Sequence, residues 1–291
     1  MAIALAKKYL PLLDEVYKKA SVTSILDAPS QIVRESLNAK EILLPSIVLE
    51  GLANYNRATG YDAGDVTLTW ETHQFTQDRG KSFIVDAMDN AETIDVAFGA
   101  VSGQFVRTKV APEIDAYRFA TMSAKAGGSA VAVLTKDTAL QAIDVGLEAL
   151  VEAEVPEENI VIFVSPKVKT FLKQSNLITR QFMVNVGTAE LNREVETLDG
   201  KILITVPQTR FYSAITIGAD GYVKDAVGGK DINFLIADAN AVLGIVKHAP
   251  LRVFTPEENQ DADAWKFNYR LYHDLFVPAN KVDGLYVHTV A

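Results

Sequence analysis

The chain has 291 residues, 48% of them hydrophobic and 22% charged, with a formal net charge of -9 and no cysteine. That composition supports a sizeable buried core and excludes a disordered chain, and the acid excess argues against a protein that grips nucleic-acid phosphates. The lack of cysteine excludes disulfides, thiolate nucleophiles and Cys-based zinc sites.

At the N-terminus Lys7 and Lys8 are followed only by short apolar runs broken by Pro11 and Asp14, unlike a signal peptide or an anchor. No run approaches the roughly 18 apolar residues of a membrane span. Leu12, Leu13, Val16, Tyr17 and Ala20 predict a short amphipathic helix after Pro11. Ser21 to Lys40 has no clear period and reads as an extended arm with a short strand.

Glu41 to Asn90 is the most informative stretch. Ile42, Leu44, Ile47 and Leu49 open it, Val66, Leu68 and Trp70 alternate with Thr67, Thr69 and Glu71, and Phe83, Ile84 and Val85 close it. A polar tip from Asn54 to Asp65 carries Gly60 and Gly64 as turn formers. The pattern predicts a long hairpin with too little apolar material to stand alone, because an isolated two-stranded ribbon is marginal in water.

Helical spacing dominates Ile94 to Ala126, through Ile94, Phe98, Val101, Phe105, Val106, Val110, Ile114 and Tyr117. Thr93 can cap its start, Gly127-Gly128 ends it, and Pro112 is expected to kink or split it. Leu140, Ile143, Leu147 and Leu150 predict a second helix, Ile160 to Val164 a buried strand, and Ser165-Pro166 the cap of a third helix. Asp199-Gly200 and Asp220-Gly221 read as turns between strands. Phe234 to Ile236 reads as a strand and Ala239 to Val246 as a short helix. Leu251 to Phe254, Trp265 to Leu275 and Leu285 to His288 are strands, the second alternating through Trp265, Phe267, Tyr269, Leu271 and His273.

Motifs for chemistry are sparse. There is no GxxxxGK[ST] or GxGxxG phosphate loop, and His73, His248, His273 and His288 lack metal-ligand spacing. Ser102 in GAVSG lacks the order of a nucleophile elbow. Asp86, Asp89 and Asp95 read as solvated or capping acids, and Asp261-Ala262-Asp263 as a charged loop. No nucleophile, base and orienter converge, so no catalytic residue, cofactor or metal is assigned.

WETHQFTQDRGKSFIVDAMDN (Trp70 to Asn90), FVRTKVAPEIDAYRFA (Phe105 to Ala120) and ENQDADAWKFNYRLYHDLFV with NKVDGLYVH (Glu258 to His288) occur in an order that resembles the major capsid proteins of tailed bacteriophages. The likeness spans nearly the whole chain. It implies an α+β fold of the Hong Kong 97 type. Residues 1–40 would be an N-terminal arm, 41–90 the extended E-loop hairpin and 91–130 the spine helix of the P-domain. Residues 131–248 would be the A-domain and 249–291 the closing antiparallel strands of the P-domain. The implied function is a structural head protein, not an enzyme, that self-assembles into pentamers and hexamers of an icosahedral virion shell enclosing DNA without reading its sequence.

The resemblance further implies assembly in the host cytoplasm. Portal, decoration and scaffolding proteins would be separate chains, since the arm leaves no room for a leading scaffold segment. Subunit contacts are expected at Trp70, Arg79, Lys81 and Phe83 of the hairpin and at Glu258, Asp261 and Asp263. Trp265, Phe105 and Ile114 should pack inside the subunit. Lys81 lies where some members crosslink to an asparagine, with Asn259, Asn268 and Asn280 as conceivable acceptors, although an exposed strand lysine is the plainer reading. The rivals are an encapsulin-like shell around a client enzyme and a soluble α/β enzyme using dispersed acids such as Asp86 and Asp220.

Overall fold

The computed structural model describes residues 21–27, 34–35, 41–52, 54–55, 57, 65–88, 105–175, 197–248 and 251–291. Its most apolar strands, β6 (Ile160–Val164) and β11 (Ile232–Asp238), are buried at every position. They lie at the middle of a six-stranded sheet of order β5-β15-β11-β6-β8-β7, with β5 at Gly128–Val131, β7 at Thr197–Leu198, β8 at Lys201–Thr205 and β15 at Leu285–Thr289.

The strand period sorts their side chains to two faces. Val161, Phe163, Leu235, Ala237 and Val287 pack with Phe119 and Met122 of helix α1 (Ala111–Lys125). Ile160, Ile162, Val164, Phe234, Ile236 and Tyr286 pack with Ile143, Leu147 and Leu150 of α2 (Ala139–Glu152) and Val168 and Leu172 of α3 (Pro166–Gln174). Covered on both sides, the sheet needs continuous apolar strands, hence the unbroken run at Ile160 to Val164.

Local signals hold where they are chemically specific. Ser165 Oγ accepts from the Val168 amide at 3.4 Å with Pro166 in the first turn of α3. Asp199 and Gly200 both have positive φ, 49° and 76°, as the tight two-residue hairpin between β7 and β8 requires. Asp220-Gly221 turns β9 (Ile215–Gly218) into β10 (Gly221–Lys224).

A second sheet is organised by the long strand β14 (Ala264–Phe276). On one edge it pairs with β13 (Leu251–Phe254) and β12 (Leu243–His248); on the other it pairs with β4 (Gln77–Asp86), from Ala264 opposite Asp86 to His273 opposite Gln77. Phe105 sits edge-on to Phe83 at 4.8 Å and to Tyr269 at 5.9 Å, and Val106 and Phe267 complete that cluster. Ile114 is fully buried with Val110 and Leu271, and Trp265 is half-buried beside Phe267, so the expected internal packing is present.

At Lys109 to Pro112, where a kink or split is expected, the element does divide: a π turn over Val106–Val110 runs into α1, and the Ala111 amide donates to the Val106 carbonyl five residues back. The wider turn puts the proline at the junction, where its missing N–H breaks no regular bond. Where Ala239 to Val246 suggests a helix, β12 forms, because a short apolar run is ambiguous until a partner strand is present. Leu285 to His288 joins the six-stranded sheet between β5 and β11, apart from β14.

The hairpin itself is β2 (Glu41–Leu49) against β3 (Val66–Gln74), in register from Glu41 opposite Gln74 to Leu49 opposite Val66, with β1 (Arg34–Glu35) beside β2. Its return arm stops at Gln74. Phe83 to Val85, expected in that arm, belong to β4 on the chain's own β14. The predicted helix at Leu12 to Ala20, most of the hairpin tip, and Asp89, Thr93 to Val101, Ser102 and Asp95 lie outside the described residues.

Candidate assembly surfaces

The hairpin is fastened at its root and exposes apolar residues of β3 farther out. Ile42 and Leu44 are buried with Phe75 and Phe276, flanked by Leu243, Ile245 and Tyr272, and the His73 ring lies 5.3 Å from Phe276. Register puts Glu71 and His73 opposite Leu44 and Ile42, so this face of the root lies on the body. The intervening positions of β3 behave differently: Val66, Leu68 and Trp70 are 64%, 52% and 43% exposed. They stand in register with Leu49, Ile47 and Pro45. Covering the remaining exposed half of these three side chains is worth roughly 2–5 kcal/mol gross, before association costs.

A polar clamp sets where the hairpin leaves the body. The buried Asp274 carboxylate accepts from the Thr76 amide at 2.7 Å, the Thr76 hydroxyl at 2.9 Å and the Tyr117 hydroxyl at 2.6 Å. Burial and the bond donated to Asp274 push the Tyr117 phenol up to about 12. His273, also buried, is held down to about 3 by desolvation and by the charges of Arg118 and Arg79, so it is neutral in the fold.

A second buried network ties residues 21–27 to α1. Asp115, with no exposed surface, accepts from Ser21 Oγ at 2.7 Å, Thr23 Oγ1 at 2.7 Å, the amides of Val22 and Thr23 at 3.2 and 3.3 Å, and Arg210 Nη1 at 3.0 Å. Arg118, one turn on, donates to Thr23 O at 3.0 Å and to Asp27 Oδ1 at 2.5 Å. A Cβ at Gly244 would sit 3.0 Å from this guanidinium and 3.1 Å from the Leu26 carbonyl, so any larger residue in β12 would make these groups give way.

The expected contact residues fall into two groups. Trp70, Lys81, Glu258, Asp261 and Asp263 are exposed. Arg79 and Phe83 are half-buried on their own chain: Arg79 Nε donates to Glu113 Oε1 at 2.7 Å and Nη2 to the Gly218 carbonyl at 2.7 Å, while Phe83 lies in the aromatic cluster. Lys81 Nζ stands 3.9 Å from Asp220, and Asp261 pairs with Lys266 at 3.0 Å. Asn268 Oδ1 accepts from Ser82 Oγ at 2.6 Å and Asn259 Nδ2 donates to the Ala264 carbonyl at 2.9 Å.

Arg79, Lys81, Phe83, Phe105, Lys109, Glu113 and the β9–β10 hairpin line an open cleft of about 930 Å³. It draws on four distant segments, and no local motif marks it. Asp115, Arg118 and Asp274 were equally illegible, since charged residues within a helix or strand pattern normally read as solvated.

Asp86 and Asp220 do not converge, because five residues of β4, about 17 Å at the usual strand rise, separate Asp86 from Lys81 beside Asp220. Among the described residues no three His, Asp or Glu side chains are placed to hold a metal, and no helix is long and apolar enough to cross a membrane.

No protein-family model and no curated protein sequence matches the chain. Solved structures do. The capsid of cyanophage P-SCSP1u superposes with a TM-score of 0.63 at 15% identity, covering 93% of this chain and 88% of its own. The mature capsid of bacteriophage PhiM1 gives 0.56 at 13% identity over 87% and 82%. A virus-like particle from Pyrococcus furiosus gives 0.54 at 12% identity over 95% of both chains. The chain therefore has the mixed α+β fold of phage capsid subunits, with several sheets and few helices among the described residues.

Proposed function

We propose that this chain is a structural major capsid protein that self-assembles into pentamers and hexamers of an icosahedral phage head around DNA. The observation that carries this reading is the hairpin: its root is buried on the body while Val66, Leu68 and Trp70 stay exposed farther out. Such a row is stabilised when another copy covers it, which makes part of the folding energy available only on assembly. The likeness to capsid subunits supports the same reading.

In this reading residues 1–40 are an arm, 41–90 the E-loop region, 91–130 the P-domain with α1 as spine helix, 131–248 the A-domain, and 249–291 the closing P-domain segment. Within 41–90 the described hairpin ends at Gln74, and β4 pairs instead with β14 of the closing segment. Trp70, Lys81, Glu258, Asp261 and Asp263 supply subunit contacts directly. Arg79 and Phe83 shape that surface from beneath. Portal and decoration proteins are further partners in this reading, and the particle assembles in the host cytoplasm.

Negative-stain imaging of the purified chain tests the proposal. Rings and closed shells are expected, and Leu68→Asp should abolish them while leaving the far-ultraviolet circular dichroism unchanged. A monodisperse monomer at high concentration would end the capsid reading. A client protein co-purifying inside nucleic-acid-free particles would instead select the alternative of a shell around cargo.

A further inference from the structure

We propose that the acidic turn Glu257–Asp263 of one copy docks at the basic mouth of the cleft between β4, the π turn and the β9–β10 hairpin of a second copy. This rests on the self-assembly reading and names one of its contacts. The cleft brings together Arg79, Lys81, Lys109 and Lys224 against Glu113 and Asp220, a local positive excess on a chain of net charge -9. Glu113 already holds Arg79, and Asp231 holds Lys224 at 2.6 Å. Lys109 is exposed and enters no ion pair among the described residues, and Lys81 has only the fully exposed Asp220 at 3.9 Å. Two ammonium groups at the mouth thus remain available to a partner.

The turn is the complementary surface. Glu257, Glu258, Asp261 and Asp263 are all exposed within seven residues, and among them only Asp261 has a cationic partner in the described residues, Lys266. Its backbone is already set: the Glu258 and Asn259 amides donate to the Thr255 carbonyl at 3.0 and 2.9 Å, and the Ala87 amide to the Asp263 carbonyl at 3.1 Å. A preformed turn loses little entropy on docking.

It cannot serve its own cleft. It joins the sheet beside Asp86, and Lys81 and Arg79 lie five and seven residues back along β4, about 17 and 23 Å at the usual rise. A turn-to-cleft contact between copies uses two different patches, and repeated by rotation it closes a ring.

The test is zero-length carbodiimide cross-linking of particles assembled from an equal mixture of 14N and 15N chains. Mixed-isotope peptides should join Lys81 or Lys109 to Glu257, Glu258, Asp261 or Asp263. Reversing Glu257→Lys with Glu258→Lys should slow assembly by about tenfold at low salt, and adding Lys81→Glu with Lys109→Glu to the same chain should restore the rate. Particles whose lysines link only to other sites, to packaged nucleic acid or to the hairpin overturn the pairing and leave the shell reading standing. A chain that forms no rings or shells overturns both.

Discussion

Replacing Asp115 by Ala should release residues 21–27 from α1 and cost about 3–5 kcal/mol, the range for removing one partner of a buried charge pair. The geometry supports the upper half of that range. Five donors converge on the carboxylate, and two of them, the amide and hydroxyl of Thr23, belong to a residue with no exposed surface. A buried donor left without an acceptor costs about 1–3 kcal/mol. Arg210 keeps some access to water and loses less. Asp115→Asn retains one acceptor oxygen and should cost about half as much. Urea unfolding at fixed protein concentration reads the shift of the midpoint, and hydrogen exchange at Val22 and Thr23 reads the release itself. A loss under about 1 kcal/mol with unchanged exchange at those amides would refute the view that Asp115 holds the segment.

His273 is neutral in the fold at about 3 and ordinarily titrates at 6.5. Its contribution to stability is complete above pH 6.5 and declines as pH falls from there towards 3, by about 1.4 kcal/mol per unit. His273→Gln should flatten that slope between pH 6 and about 4.5, leaving the smaller one from His288, which burial also lowers. Tyr117→Phe removes one of the donors on Asp274 and should cost about 1–2 kcal/mol, with faster exchange at the Thr76 amide as its signature.

The elements that the sequence made legible are those whose signal is local. The continuous run at Ile160 to Val164, the Ser165-Pro166 cap, the Asp199-Gly200 turn and the alternation from Trp265 to His273 each follow from one strand period or one backbone requirement, and each is present. The hairpin was legible too, through Val66, Leu68 and Trp70, but its end was not. Gln77 to Asp86 alternates like the arm before it, and only the pairing with β14 shows that the chain has changed sheets. The same holds for Leu243–His248, helical or extended until β14 lies beside it.

By itself the sequence determined a mixed α+β chain with buried central strands, an amphipathic helix and a hairpin too poor in apolar residues to fold alone, because period and composition act over a few neighbours. Tertiary structure decided which charges are buried, where the hairpin is clamped, and that Arg79, Lys109 and Lys224 share one cleft. Those outcomes depend on desolvation and distance between segments far apart in the chain, and neither quantity exists until the chain has folded.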